Sequence, residues 1–176
     1  MVTPVVTAAA KANPTYKIVA TGHSLGGAVA ALLGAILRND GNIVDIVREV
    51  LLCNYRTSTY NFKYTFGQPH VGNADINNYI QNQAPTQGNN YRATHTTDVV
   101  PQLPEYDWAP GWYHYYPEFW VDTDTVPVPA NDITVVTGSL YETGGNEGDI
   151  NYFTGIAAQS LYFGAISSCS SDPPTS

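Results

Sequence analysis

Positive charge and sulfur are what this 176-residue chain has least of, with seven lysines and arginines, two cysteines and one methionine. Fifteen acidic residues leave a net charge of −8, which repels a phosphate backbone and excludes nucleic acid as a partner. Cys53 and Cys169 are too few for a disulfide framework, and sequence alone does not bring them within bridging distance. No apolar run reaches the length of a membrane span. Met1 to Ala10 is mildly apolar without a basic region ahead of it, so it does not read as a signal peptide. Asp122, Asp124, Asp132, Glu142, Glu147 and Asp149 form no Asp-x-Asp-x-Asp-Gly loop and read as solvated acidic surface; no metal and no cofactor are expected. An apolar fraction of 43% at single-domain length then points to a globular domain with a sizeable core.

The most informative stretch is Thr21-Gly22-His23-Ser24-Leu25-Gly26-Gly27. It follows a strand-like run, Tyr16 to Ala20, and precedes a helix-like one, Ala28 to Leu37, so Gly22-x-Ser24-x-Gly26 has the context of a nucleophile elbow. A sharp strand-to-helix turn pushes a serine oxygen out of the backbone, and side chains at the two glycines are expected to clash. The same turn aims the Leu25 N–H at a developing oxyanion.

Around the elbow, Val5 to Ala12 reads as a helix stopped by Asn13-Pro14. The helix after Ser24 carries apolar residues at Leu25, Val29, Leu32, Leu33, Ile36 and Leu37 and ends at Asn39-Asp40-Gly41. Ile43 to Val47 and Lys63 to Phe66 read as extended, Gly67-Gln68-Pro69 as a turn, and Asn73 as the cap of a helix reaching about Asn82. Tyr91 to Thr96 alternates like a strand, and Ile133 to Thr137 is a further one. Between them the chain reads as loop-rich, with an aromatic segment from Trp108 to Trp120 assigned to packing over a lipid-facing patch. Alternating strands and helices predict an α/β sheet with the elbow at a strand's C-terminal end. Asp98, just past a strand end, is the candidate acid to orient a histidine base.

These residues resemble the fungal class 3 lipases, the secreted triacylglycerol lipases of filamentous fungi. The resemblance is carried by Gly22 to Ala28, Phe66 to Asn73, Thr94 to Pro104, His114 to Trp120, Thr143 to Asn146 and Tyr162 to Gly164, in matching order over nearly the whole chain. It implies an α/β-hydrolase fold, Ser24 as nucleophile, Asp98 as triad acid, the Leu25 N–H as oxyanion donor, an acyl ester or lipid substrate at a lipid–water interface, and an extracellular location. Feruloyl esterases share most of these segments, so the acyl specificity stays open.

Three departures accompany the resemblance. The family's catalytic histidine stands four residues before the phenylalanine of Tyr162-Phe163-Gly164, where this chain has Gln159. Its four histidines, His23, His70, His95 and His114, all match structural positions, His95 and His114 being the candidates nearest Asp98 in sequence. A glutamine neither accepts nor returns a proton near neutral pH, and loss of a triad member removes on the order of 10⁴ to 10⁶ in turnover. Second, family members carry roughly a further half-domain before the position of Met1, with flanking strands, a lid and the other oxyanion donor. The expected unit, residues 1–169 followed by a polar tail at 170–176, is therefore the C-terminal part of the fold with an incomplete sheet. Cys169 would match a cysteine whose partner lies in that preceding part. Third, Val47 to Lys63 reads as an insertion, because its removal runs Asp45-Ile46 directly into Tyr64-Thr65-Phe66-Gly67. The segment's ends are compatible with a retained intron, and Met1 then reads as an internal start. The reading is of a lipase-like ester hydrolase, inactive as written; the alternatives are a truncated non-catalytic pseudoenzyme or a lipid- or partner-binding fragment.

Overall fold

The computed structural model describes residues 2–40, 62–84, 89–105, 110–138, 140, 144–149 and 154–166. The expected strand Ile43 to Val47, the segment 47–61, both cysteines and the tail lie outside the described residues.

Helix α1 (Thr3–Ala12) starts with Pro4 in its first turn, where a missing N–H costs nothing, and buries none of its residues. Strand β1 (Val19–His23) lies three residues beyond the expected Tyr16 to Ala20. Thr21-Gly22-His23, read as part of the turn, are instead strand, held in register against Tyr64-Thr65-Phe66. Helix α2 (Leu25–Arg38) follows at once. Strand β2 (Phe62–Phe66), helix α3 (Ala74–Asn82) and strand β3 (Asn90–His95) complete two strand–helix–strand units. Asn73 caps α3 as expected, its Oδ1 accepting the Ile76 N–H at 3.2 Å.

The five-stranded sheet has the order β1-β2-β3-β4-β5. Strands β1 to β4 run parallel, and β5 (Ile133–Val136) is antiparallel to β4 (Glu118–Val121). Strand β4 corrects the sequence reading, which placed these residues in a loop-rich aromatic segment. Its strand character is hidden because Glu118 looks like a surface residue. In the fold Glu118 is buried, 3.3 Å from Arg92 on β3, and accepts from the Thr94 hydroxyl. Helix α4 (Gly155–Ala158) and the short pair β6 (Leu161–Tyr162) and β7 (Gly164–Ala165) were also not foreseen.

Helix α2 lies on β1 and β2 through its small residues. Gly27, Ala28, Ala30, Ala31, Gly34 and Ala35 are buried, while Leu25, Val29, Leu32 and Ile36, at helical spacing, are exposed. Close approach of helix and sheet explains this: a Cβ on Gly34 would meet the Lys63 side chain at 2.6 Å. The core cluster of Ala28, Ala31, Ala35, Val71, Ile80 and Tyr115 fills the space between α2, α3 and the sheet. Arg38 pins the end of α2 to the start of β3, donating to Asn90 Oδ1 and to the Asn89 carbonyl, each at 2.8 Å.

Candidate active site

Ser24 sits between β1 and α2 with φ 55° and ψ −132°, a conformation rare outside glycine. Such strain persists only where surroundings fix it. Here the Ser24 N–H is tied to the Phe66 carbonyl at 2.9 Å, and the Ser24 carbonyl accepts from Gly27 N at 2.9 Å. The crossing is tight: a Cβ on Gly22 would lie 2.2 Å from the Gly26 carbonyl oxygen. The expected clash at Gly26 itself is absent, since a Cβ there meets nothing within 4 Å. The space that the elbow needs is at Gly22. Leu25, 72% exposed, opens the helix directly beside the serine.

Asp98 follows β3 through a turn, its N–H bonded to the His95 carbonyl at 2.9 Å, and is fully buried. Burial raises its pKa, opposed by the donors that reach it. Val100 N donates to Oδ1 at 2.9 Å and the Tyr162 hydroxyl to Oδ2 at 2.5 Å. Tyr162 is itself pushed well above the usual phenol range, by burial and then by the adjacent carboxylate, so it stays a donor. Asn146 braces the same turn from behind, donating to the Thr96 and Asp98 carbonyls at 2.9 Å each.

Gln159, at the end of α4, joins the two. Only one amide orientation matches donors to acceptors. In it the nitrogen donates to both Asp98 oxygens, at 2.8 Å to Oδ1, and Oε1 accepts the Ser24 hydroxyl at 3.0 Å. His23 Nε2 donates to the Gln159 backbone carbonyl at 2.8 Å and lies 3.2 Å from Oε1. Gly67, with φ +56°, lets β2 end against this cluster, because a Cβ there would press on Gln159, Tyr162 and Asp98. Ser24, Gln159 and Asp98 thus form one continuous hydrogen-bonded line.

The histidines considered as bases do not join it. Both ring nitrogens of His95 are committed elsewhere, Nδ1 to the Ala158 carbonyl at 3.0 Å and Nε2 to the Thr123 carbonyl at 2.8 Å. His114 lies against His70, ring centroids 4.2 Å apart, and its Nε2 meets the Pro101 carbonyl at 2.7 Å. Burial pushes the His114 pKa well down. Among the described residues no group of three or more His, Cys, Asp or Glu is arranged to hold a metal ion, and no helix is long and apolar enough to cross a membrane. The contributions of Gly67, Tyr162 and Asn146 to the site were missed, although the turn glycine and the Tyr-Phe-Gly run were visible signals.

Residues 1–108 match the family model described as Lipase (class 3). The secreted mono- and diacylglycerol lipase 1 of Fusarium solani is 43% identical over 117 residues, which are 66% of this chain and 28% of that protein. The secreted mono- and diacylglycerol lipase A of Penicillium cyclopium is 35% identical over 152 residues, 86% of this chain and 43% of that protein. The chain therefore spans less than half the length of these curated relatives. The crystal structure of the N225Q mutant of the Penicillium cyclopium enzyme superposes with a TM-score of 0.67 at 31% identity, over 93% of this chain and 53% of the solved one. The sheet and its crossing helices are those of the α/β-hydrolase fold of these fungal lipases.

Proposed function

This chain belongs to the class 3 lipase family, and we propose that it carries an acylglycerol-directed ester site, inherited in geometry and arrested in turnover. In this reading Ser24 is the nucleophile, the Leu25 N–H is an oxyanion donor, Asp98 is the acid member of the triad, and Gln159 occupies the place of the base. The mono- and diacylglycerol lipases named among its relatives favour an acylglycerol substrate, and their description as secreted favours an extracellular site of action.

The observation that carries the reading is the double contact of Gln159, with its oxygen 3.0 Å from Ser24 Oγ and its nitrogen on Asp98. Attack on an ester needs a group that takes the serine proton and returns it to the leaving alcohol. An amide oxygen accepts a hydrogen bond but is not basic enough to take the proton. The site therefore holds its serine oriented and protonated. Absence of the base raises the barrier by roughly 5 to 8 kcal/mol, equivalent to the 10⁴ to 10⁶ of a lost triad member.

The test is hydrolysis of a short-chain chromogenic ester by the purified chain, Ser24→Ala and Gln159→His. Wild type and Ser24→Ala are expected to be equal and at background, and Gln159→His to gain turnover that a second Ser24→Ala change abolishes. Turnover by the wild type that depends on Ser24 refutes the arrested reading.

A further inference from the structure

A buried lysine in β2 bears on how the chain is assembled. Lys63 is the second residue of β2, between Ala20 of β1 and Asn90 of β3, and is 1% exposed. Its Nζ has no hydrogen-bond partner. Around it stand the Tyr115 ring, whose centroid is 5.1 Å from Nζ, and the positive field of Arg38 from α2. Burial, and then Arg38, lower its pKa to about 6. Its stem lies against Gly34. An inner position of a parallel strand, covered on both faces, is normally aliphatic. A lysine with no acceptor there contradicts the environment that the rest of the fold has built around it.

We infer that Lys63 is the last residue of an insert, residues 47–63, and that the residues meant to open β2 are Asp45 and Ile46. Without the insert, Ile46 precedes Tyr64 and takes the register position of Lys63, facing Ala20 and Asn90 as a β-branched aliphatic residue suited to a strand. Asp45 takes the register position of Phe62, at the start of the strand. The buried amine disappears, and Tyr64-Thr65-Phe66-Gly67, which lead to the serine and the Gln159 cluster, keep their places. An insert opening at Val47 and closing at Lys63 is compatible with an intron whose ends fall between codons: every valine codon begins GT, and a lysine codon can end AG. Those are the two ends of a spliceosomal intron, and the segment contains no stop in this reading frame.

The experiment compares urea unfolding at pH 7 and hydrogen exchange for three proteins: wild type, Lys63→Ile, and a chain lacking residues 47–63. Lys63→Ile and the deletion are both expected to unfold at higher urea than wild type, and the deletion to protect the Tyr64, Thr65 and Phe66 amides as wild type does. A deletion chain that is unfolded, or that melts at lower urea, overturns the inference, whatever Lys63→Ile does. So does a Lys63→Ile midpoint at or below that of wild type. Sequencing of mature messages supplies an independent arm: a main form joining the Ile46 and Tyr64 codons supports the insert, and a main form carrying the Cys53 codon overturns its intron origin.

Discussion

Gln159 Oε1 accepts the Ser24 hydroxyl at 3.0 Å from the same side chain whose nitrogen donates to Asp98. A neutral histidine would do both with its two ring nitrogens, so the glutamine reproduces the hydrogen bonding of a base and omits its proton affinity. This explains how the elbow, the carboxylate and the end of α4 stay assembled. Each carboxylate and amide oxygen or nitrogen in the line has a hydrogen-bond partner.

Gln159→Glu should separate hydrogen bonding from charge. The new carboxyl would lie against buried Asp98, where two negative charges cannot both ionise, and its folded pKa would be raised. A raised carboxyl pKa leaves stability intact in acid and removes it as pH climbs through the unfolded value. Thermal unfolding from pH 4 to 7 is expected to show the variant close to wild type at pH 4 and falling progressively below it towards pH 7. A constant offset across that range would contradict the coupling to Asp98.

Tyr162→Phe should cost stability without opening a large cavity. The phenol donates to Asp98 Oδ2 at 2.5 Å inside the fold, and its loss strips a buried carboxylate of one of its donors. Bonds of this charged kind contribute about 1.5 to 3 kcal/mol. Because burial already raises the Asp98 pKa, losing a donor raises it further. The destabilisation is therefore expected to be largest near neutral pH and to shrink as pH falls through the raised folded pKa of Asp98, which lies above the unfolded value of about 3.9, so that little remains once the folded carboxyl is protonated. Urea unfolding at pH 7 and pH 4 measures the difference.

Much of this site was legible because its residues sit on local signals. The elbow is marked by Gly22 and Gly26, Asp98 by its place after an alternating strand, and Gln159, which the structure brings against both Ser24 and Asp98, by its spacing to Tyr162-Phe163-Gly164. What was not legible depends on partners distant in sequence. Glu118 reads as surface until Arg92 and Thr94 of β3 are set beside it, and β4 was missed with it. The start of β1 was misplaced because the turn residues Thr21 to His23 gain strand pairing only from β2, far along the chain. Helix α2 was read by its large apolar residues, whereas the sheet selects its small ones, since packing distance and not hydrophobicity decides which face fits.

That exposed face gives a prediction of its own. Leu25, Val29, Leu32 and Ile36 form one stripe on α2, next to β1, which has no strand on its other edge among the described residues. A contiguous apolar stripe beside an open edge favours association. Sedimentation of the purified chain is expected to show concentration-dependent self-association, and Val29→Gln combined with Ile36→Lys to reduce it without lowering the melting temperature. Unchanged sedimentation in that double variant would locate the association elsewhere.

Lys63 gives the sharpest pH dependence, and its sign is opposite to that of the carboxyls. Its amine is neutral in the folded state above about pH 6 and protonated in the unfolded chain until about pH 10.4. The unfolded state then binds one proton more throughout that window, so stability rises with pH. The slope contributed is about 1.4 kcal/mol per pH unit. Histidine also destabilises on acidification here, because buried His114 has its pKa pushed down, but its effect is confined to pH below about 6.5. Urea unfolding between pH 7 and 9 therefore isolates the lysine. Wild type should gain stability across that interval by roughly 3 kcal/mol, and Lys63→Met should lose the gain while being more stable at pH 7. A wild-type profile flat from pH 7 to 9 would mean that the amine finds a proton-stabilising partner, and the misfit of lysine in β2 would have to be abandoned.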